Sequence, residues 1–155
     1  MKKIKLLILG KSNVGKSSLI NFFTNNRNCL VSNKVHATRI STYYLFHMQN
    51  YQIQIIDTPG TSIADNNLLS QAMKSHAYKH LTDCDLIILL TQPQKSYESE
   101  LRILNDVQEA KKPFLICVNK IDIDPDKEFK SSFERLIGIS DYSLISLKDL
   151  SLIHI

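Results

Sequence analysis

The sequence has few of the features that mark a disulfide-linked, zinc-binding or membrane-spanning protein. Its cysteines, Cys29, Cys84 and Cys117, are odd in number and form no CxxC pair, which argues against a disulfide framework or a zinc site and favours a reducing compartment. No apolar run approaches the roughly 20 residues of a membrane span, and no small-residue cleavage site follows the opening MKKIKLLILG. The net charge is only +4, which suits a polyphosphate or RNA partner without demanding one. We therefore expect a cytoplasmic protein without a membrane span.

What the sequence does contain is an alternation of short apolar runs and helix-like segments within 155 residues, a length that suits one domain. The runs LIILL and FLICV are apolar at consecutive positions, which is typical of strands buried on both faces. The pattern predicts an α/β fold with a mostly parallel six-stranded sheet, helices on both faces and one antiparallel hairpin at an edge. Strands are predicted at Ile4–Leu9, Ser41–Met48, Gln52–Ile56, Asp85–Thr91, Pro113–Val118 and Tyr142–Ile145, and helices at Lys16–Asn25, Asn66–Leu81, Tyr97–Ala110 and Glu128–Leu136. Residues 26–40 show no clean period and are predicted to form a long loop.

The first motif that carries chemistry is GKSNVGKS, residues 10–17. It matches G-x-x-x-x-G-K-[ST] and lies between a predicted strand and a predicted helix, the setting in which this pattern binds phosphate. Gly10 and Gly15 let the backbone curl around phosphate oxygens, Lys16 offers its charge to the β- and γ-phosphates, and the Ser17 hydroxyl suits Mg²⁺. The backbone amides expected to face the phosphates are those of Asn13, Val14, Gly15, Lys16, Ser17 and Ser18.

The second motif is DTPG, residues 57–60, which follows the predicted strand IQII. Asp57 is expected at the carboxyl edge of the sheet, where open α/β sheets bind ligands, and it can hold the Mg²⁺ shell there. Gly60 leaves room for its backbone N–H to approach the γ-phosphate. A turn-capping role for Asp57 is the plain alternative, and DTPG alone would leave it open.

The third motif is NKID, residues 119–122, directly after FLICV. Asp122 can accept hydrogen bonds from guanine N1–H and the exocyclic amine, whereas adenine would leave the carboxylate unpaired at a cost of about 1–3 kcal/mol. Asn119 can brace the loop, and the stem of Lys120 can lie over the base. Alone the motif is a weak match, but its position after the other two predicts a guanine site.

The three motifs together resemble the Era, EngB and TrmE group of small P-loop GTPases. GKSNVGKSSLINFFTNNRN is similar to the opening of EngB and Era proteins, and DTPG, DLIILL and FLICVNKID are similar to Era. The resemblance covers roughly residues 3–148 and implies the three-layer P-loop NTPase fold, GTP or GDP as ligand, and Mg²⁺-dependent hydrolysis that switches a partner on and off. It implies a protein partner acting through switch loops at residues 30–40 and 61–75, and a switch that acts in ribosome assembly or RNA maturation. An RNA or ribosomal partner fits that role, but RNA binding itself is not inherited from the resemblance.

The same resemblance supplies further site residues. HATR places Thr38 at the family's switch threonine, a γ-phosphate-sensing Mg²⁺ ligand beside Ser17 and Asp57, with Thr42 as the weaker candidate. The family's Ser-Ala-x turn, whose amide reads guanine O6, corresponds to Ser146, Leu147 and Lys148, with leucine in place of alanine. Asn13 resembles the asparagine of members that bind K⁺ beside the phosphates. Lys16, Thr38, Gly60 and Asn13 are thus the expected catalytic set.

Two features of the sequence keep alternatives open, although the lack of a glutamine after DTPG is itself typical of Era-like relatives. Thr61 stands where Ras-like GTPases carry the glutamine that orients water, so slow intrinsic turnover is expected unless K⁺ assists. Era proteins continue into an RNA-binding KH domain, but here only SLKDLSLIHI follows the last predicted strand. We therefore expect a single G domain over residues 1–155, without a KH or other C-terminal domain and with only a short closing helix. A module that binds GTP or GDP with negligible hydrolysis is the alternative, and an ATPase is opposed by Asp122.

Overall fold

The protein is described by a computed structural model over residues 1–24, 29–36, 39–58, 79–124, 128–138, 141–148 and 151–153. Its strands are β1 (Lys2–Leu9), β2 (Leu30–His36), β3 (Arg39–Met48), β4 (Tyr51–Asp57), β5 (Leu86–Thr91), β6 (Phe114–Val118), β7 (Ser143–Ser146) and β8 (Ser151–Ile153). Its helices are α1 (Lys16–Thr24), α2 (Glu98–Glu109) and α3 (Phe129–Ile137), with a 3₁₀ turn at Ile121–Ile123 and helical residues at 79–83.

The strands form one sheet in the order β2-β3-β4-β1-β5-β6-β7-β8. The central strands β4, β1, β5, β6 and β7 are parallel, and β3 joins β4 as the predicted antiparallel hairpin. Parallel strands put their carboxyl ends at one edge, so the segments that follow β1, β4, β5, β6 and β7 meet there. The predicted α/β class, the mostly parallel sheet and the hairpin are confirmed.

Both faces of the sheet are covered because consecutive side chains of β1 point to opposite sides. Leu7 and Leu9 belong to a core that α2 and α3 complete. Leu6 and Ile8 belong to a second core with residues of α1. The layers are therefore helix, sheet and helix, as the resemblance implied.

The predicted number of strands was wrong, since the described sheet has eight strands rather than six. Residues 30–36, predicted as part of a loop, form β2 and pair antiparallel with β3 from Leu30 opposite Leu45 to His36 opposite Arg39. Leu30 and Val31 remain 70% and 59% exposed. Because this edge strand is held by backbone pairing rather than by burial, its sequence needs no hydrophobic alternation. The short closing helix was also wrong, because Ser151–Ile153 pairs antiparallel with β7 as β8.

The helices α1, α2 and α3 begin and end within one residue of their predicted bounds, whereas the predicted helix Asn66–Leu81 lies outside the described residues up to residue 78. Ile103, Leu104 and Val107 form the buried stripe of α2. The Asp124 carboxylate accepts the backbone N–H groups of Glu128 (3.3 Å) and Phe129 (3.0 Å) at the start of α3, and Gly138 ends that helix at φ 69°. In the part of the chain that the structure describes, no helix has both the length and the apolarity to cross a membrane.

Candidate nucleotide-binding site

The loop between β1 and α1 has a backbone that only glycine permits at two positions. Gly10 has φ +151°, and a Cβ there would lie 2.3 Å from the backbone oxygen of Leu90. Gly15 has φ +104°, and a Cβ there would lie 2.3 Å from Nδ2 of Asn119. Asn13, between them, also has a positive φ of 65°. The two glycines therefore permit both the curl of the loop and its close approach to β5 and to the loop after β6.

Lys16, the first residue of α1, folds its side chain back over this loop. Its Nζ donates hydrogen bonds to the carbonyl oxygens of Gly10 (3.0 Å) and Lys11 (2.7 Å), and the residue is only 8% exposed. Burial lowers the pKa of the Lys16 ammonium below its ordinary value, and the Asp57 carboxylate opposes part of that shift. The ammonium is thus held at the mouth of the loop in a site that would gain from a nearby anion.

Asp57 ends β4 directly beside the strand that leads into the loop. It pairs with Ile8 of β1, and the hydroxyl of the next residue, Thr58, donates to the Ile8 carbonyl oxygen at 3.2 Å. Burial raises the pKa of the Asp57 carboxyl, and Lys16 lowers it by a smaller amount. The cost of burying this carboxylate exceeds the stabilisation that it receives from Lys16. A divalent cation bound to it would therefore favour its charged form.

The pKa of Lys16 is lowered and that of Asp57 is raised, and these two shifts show whether the site suits Mg²⁺ and phosphate. Each side chain is held partly desolvated beside the other, and for each the effect of burial exceeds the mutual attraction. A phosphate would compensate the lysine and a hard cation the aspartate, with the Ser17 hydroxyl as a further oxygen donor. The donor set therefore fits a magnesium–phosphate pair. Among the described residues no cluster of three or more His, Cys, Asp or Glu side chains could hold a metal on its own.

Asn119 ties the phosphate loop to the segment after β7. Its Nδ2 donates to the Val14 carbonyl oxygen at 2.9 Å, and its Oδ1 accepts the backbone N–H of Leu147 at 3.1 Å. Its own N–H donates to the Thr91 carbonyl oxygen at 2.8 Å, and the side chain is almost completely buried. One amide therefore fixes three separate loops relative to one another.

The next residues of NKID lie over the same opening. Lys120 adopts a left-handed backbone with φ 59°, and its Nζ donates to the Asn13 carbonyl oxygen. Asp122 is exposed, and its Oδ1 accepts a hydrogen bond from the Ser146 hydroxyl at 2.9 Å. The leucine that replaces the family's alanine is accommodated, since Leu147 Cδ1 lies 3.7 Å from where a Gly15 Cβ would be. The phosphate loop, NKID and the Ser146–Lys148 turn are thus joined to one another by hydrogen bonds, and the region that these three loops line is called the cleft below.

Not every predicted site residue can be placed. Thr38 and Gly60 lie outside the described residues, as does Thr61. Val14 is buried, while Ser17, Ser18 and Lys148 are exposed. The structure brings the remaining predicted residues to one edge of the sheet, and their roles toward a nucleotide stay predictions.

One pair of residues at this edge was missed from the sequence. The ammonium of Lys11, inside the phosphate loop, lies 3.2 Å from the carboxylate of Glu100 in α2. The available signal was the spacing of α2, because Glu100 precedes Ile103, Leu104 and Val107 at intervals that place it on their apolar face. A carboxylate on the apolar face of a helix is rarely buried without a partner. The spacing therefore indicates that Glu100 has one, and in the structure that partner is Lys11.

This fold and this cleft define a P-loop nucleotide-binding domain of the GTPase type. The family of 50S ribosome-binding GTPases matches residues 5–120. The chain belongs to this family.

Among curated relatives, the chain is 34% identical over 128 residues to GTPase Era of Campylobacter fetus, covering 83% of this chain and 43% of that protein. It is 32% identical over 143 residues to GTPase Era of Clostridium botulinum, covering 86% of this chain and 48% of that protein. The chain thus spans less than half the length of these curated relatives.

Solved structures show the same fold. The G domain of the T. maritima FeoB iron transporter superposes with a TM-score of 0.72 at 25% identity, covering 96% of this chain and 91% of that one. An Aquifex aeolicus Era variant bound to GDP·AlF4⁻ superposes with a TM-score of 0.70 at 25% identity, covering 97% of this chain and 53% of that one.

Proposed function

We propose that this chain binds GTP with Mg²⁺, hydrolyses it to GDP and phosphate, and acts as a molecular switch. The observation that carries the proposal is the double hydrogen bond of Asn119, which joins the phosphate loop at Val14 to the turn at Leu147. A nucleotide that reaches from one end of the cleft to the other needs both ends fixed relative to each other. The membership in a GTPase family supports the same ligand.

At the phosphate end, the amides of residues 13–18 and the Lys16 ammonium bind the phosphate oxygens. Lys16 exchanges the Gly10 and Lys11 carbonyl oxygens for phosphate, which restores full compensation to its buried charge. Ser17 and Asp57 hold Mg²⁺, with Thr38 added in the GTP form. When bound, the ion neutralises charge that develops on the β- and γ-phosphates. Gly60 and Thr38 sense the γ-phosphate, and its loss relaxes the switch segments at residues 30–40, where β2 would have to loosen from β3, and at residues 61–75.

At the base end, Asp122 selects guanine by accepting from N1–H and from the exocyclic amine. The Ser146 hydroxyl holds Oδ1 of Asp122 from behind, so that the carboxylate is oriented before the base arrives. Lys120 covers the base with its stem while its ammonium stays on the Asn13 carbonyl oxygen. The amides of the turn at Ser146, Leu147 and Lys148 read guanine O6. Adenine would leave the carboxylate unpaired and so bind more weakly.

For hydrolysis, Thr61 is a poor substitute for the water-orienting glutamine of Ras-like proteins. We propose that K⁺ next to the Asn13 side chain supplies charge to the transition state. Asn13 suits this role because its left-handed backbone leaves the side chain exposed at the rim of the loop. A cation held there would supply the positive charge that other GTPases take from an arginine.

The test is single-turnover GTP hydrolysis in K⁺ and in Na⁺ buffers, with Lys16→Ala as the inactive variant. Lys95→Ala is the matched control, because Lys95 is an exposed lysine. We expect phosphate release by the wild type and by Lys95→Ala, faster in K⁺, and none above background by Lys16→Ala. Equal rates in the two salts would remove the K⁺ role. Tight GTP binding with negligible phosphate release in both salts would favour a nucleotide-holding interaction module.

We further propose that residues 1–155 work as one G domain in the cytoplasm. The three cysteines are free in the structure, which suits a reducing compartment. The family description supports a ribosomal or RNA partner in ribosome assembly or RNA maturation, with a protein partner reading the switch loops. Co-sedimentation with ribosomal subunits in GTP and in GDP would test this, with nucleotide-independent or absent sedimentation counting against it.

A further inference from the structure

Glu100 is a buried carboxylate that none of the roles above uses. It is 1% exposed, in the first turn of α2. Its Oε1 accepts from Gln94 Nε2 at 2.6 Å and from the Thr91 hydroxyl at 3.4 Å. Its Oε2 lies 3.2 Å from the Lys11 ammonium. A buried charge is costly unless it is paired and hydrogen-bonded. Both of these hydrogen bonds go to Oε1, and among the described residues Oε2 makes none, so the ion pair with Lys11 is what compensates that oxygen.

Both ends of this contact lead directly into the nucleotide cleft. The carbonyl oxygen of Lys11 accepts the Lys16 ammonium at 2.7 Å, so the residue that Glu100 holds also holds the phosphate-binding lysine. The carbonyl oxygen of Thr91 accepts the N–H of Asn119 at 2.8 Å. Glu100 therefore contacts the residues that position both the phosphate end and the guanine end.

We propose that Glu100 is a positioning residue for guanine nucleotide, acting through Lys11 on the phosphate loop and through Thr91 on the NKID loop. It orients the Lys11 segment so that the loop amides and Lys16 face the phosphates before the nucleotide binds. This inference rests on the proposed function. The plainer explanation is an ion pair that only stabilises the fold.

A purely electrostatic role and a positioning role predict opposite changes in nucleotide affinity when Glu100 is neutralised. If the pair acted only through long-range electrostatics, neutralising Glu100 would tighten the binding of an anionic nucleotide, and neutralising Lys11 would weaken it. If the pair positions the loop, either change weakens binding, because each releases the same contact. The side chain of Lys11 is 35% exposed, so it can turn to solvent once its partner is lost.

The experiment measures the dissociation rate of fluorescently labelled GDP from Glu100→Gln, Lys11→Met and the double variant. Glu134→Gln is the matched control, since the carboxylate of Glu134 also accepts a side-chain hydrogen bond, from Tyr142 at 2.9 Å, but it lies in α3. We expect each single variant to release GDP roughly tenfold faster, because each removes the ion pair that holds the Lys11 segment. The double variant should be no faster than either single variant, because both remove one contact.

Each other outcome has a distinct meaning. Unchanged or slower dissociation from Glu100→Gln, or multiplicative effects in the double variant, would overturn the positioning role while leaving the proposed function intact. If Glu134→Gln also accelerated release, the effect would be one of general stability and the inference would fail. Urea unfolding of all four variants checks folding, and Lys11→Met probes the pair from its exposed side should Glu100→Gln fail to fold. A wild-type chain that binds no GDP would overturn the proposed function and this inference together.

Discussion

Replacing Asn119 by alanine should disconnect the phosphate loop from the turn after β7. The side chain is 2% exposed and makes two hydrogen bonds, to the Val14 carbonyl oxygen at 2.9 Å and from the Leu147 N–H at 3.1 Å. The bond to Val14 is buried, whereas that to Leu147 is only partly buried. The substitution therefore leaves one backbone acceptor buried without its partner and one donor that water can partly reach.

The magnitude follows from these two groups. A buried group left unsatisfied costs about 1–3 kcal/mol, and a partly solvated hydrogen bond contributes about 0.5–1.5 kcal/mol. We expect Asn119→Ala to lower the free energy of unfolding of the nucleotide-free chain by about 2–4 kcal/mol, a large part of the roughly 5–15 kcal/mol typical of a domain. GDP affinity should fall as well, since the two ends of the cleft lose their tie.

Urea unfolding without nucleotide measures the stability, and calorimetry with GDP measures the affinity. Asn105→Ala is the control, because Asn105 is an exposed asparagine in the middle of α2; it should change the free energy of unfolding by less than about 0.5–1 kcal/mol. If the two variants unfolded at the same urea concentration, or if Asn119→Ala bound GDP like the wild type, the bracing role of Asn119 would be refuted.

Three further predictions follow from the same cleft. Asp122→Asn should lower GDP affinity by roughly tenfold or more and raise the affinity for xanthosine diphosphate, because the new amide can donate to the 2-oxo group; competition titration decides, and unchanged preference would contradict it. Gly15→Ala should cost about 1–2 kcal/mol of backbone strain at φ +104°, and its Cβ would also displace the Asn119 side-chain amide. Both effects should lower the urea midpoint of unfolding, and an unchanged midpoint would refute the close approach of Gly15 to Asn119. Burial raises the pKa of Asp57 above 3.8, so the folded chain binds this proton more tightly than the unfolded chain does. The resulting contribution to the free energy of unfolding is present at low pH and is lost as the pH rises through the raised pKa. The difference in the free energy of unfolding between the nucleotide-free wild type and Asp57→Asn should therefore shift against the wild type as the pH rises above 3.8, and a difference that does not change with pH would contradict this.

Much of the fold could be read from the sequence because the central strands have strong local signals. The runs at 86–90 and 114–118 are apolar without interruption, and such runs need burial on both faces. The edges carried no such signal. In β2, Leu30 and Val31 are exposed, so the sequence there shows no alternation of buried and exposed side chains. The other edge strand, β8, is held to β7 by backbone pairing over Ser151–Ile153. Both edge strands pair with the strand next to them along the chain, β2 with β3 and β8 with β7, through backbone groups that leave no mark on local periodicity.

The part of the cleft that could be predicted from the sequence is the part formed by motifs, in which each residue type has a defined structural role. The glycines at 10 and 15 and the lysine at 16 follow from a spacing that has one structural meaning. The pairing of Lys11 with Glu100 could not be predicted, although the spacing of α2 marks Glu100 as buried. The pair joins side chains 89 residues apart, and the 10–17 motif leaves the residue type at position 11 open. Nor could the hydrogen bond from the Lys16 ammonium to the Lys11 carbonyl oxygen be foreseen, since backbone contacts leave no mark on residue type.

The most direct test of the account is a calorimetric titration of the chain, in Mg²⁺ buffer, with GDP, GTP and ATP. The account predicts saturable heat for both guanine nucleotides and an affinity for ATP that is weaker by roughly tenfold or more. No heat with either guanine nucleotide, or equal affinity for ATP, would contradict the claim that one cleft grips the phosphates and selects guanine.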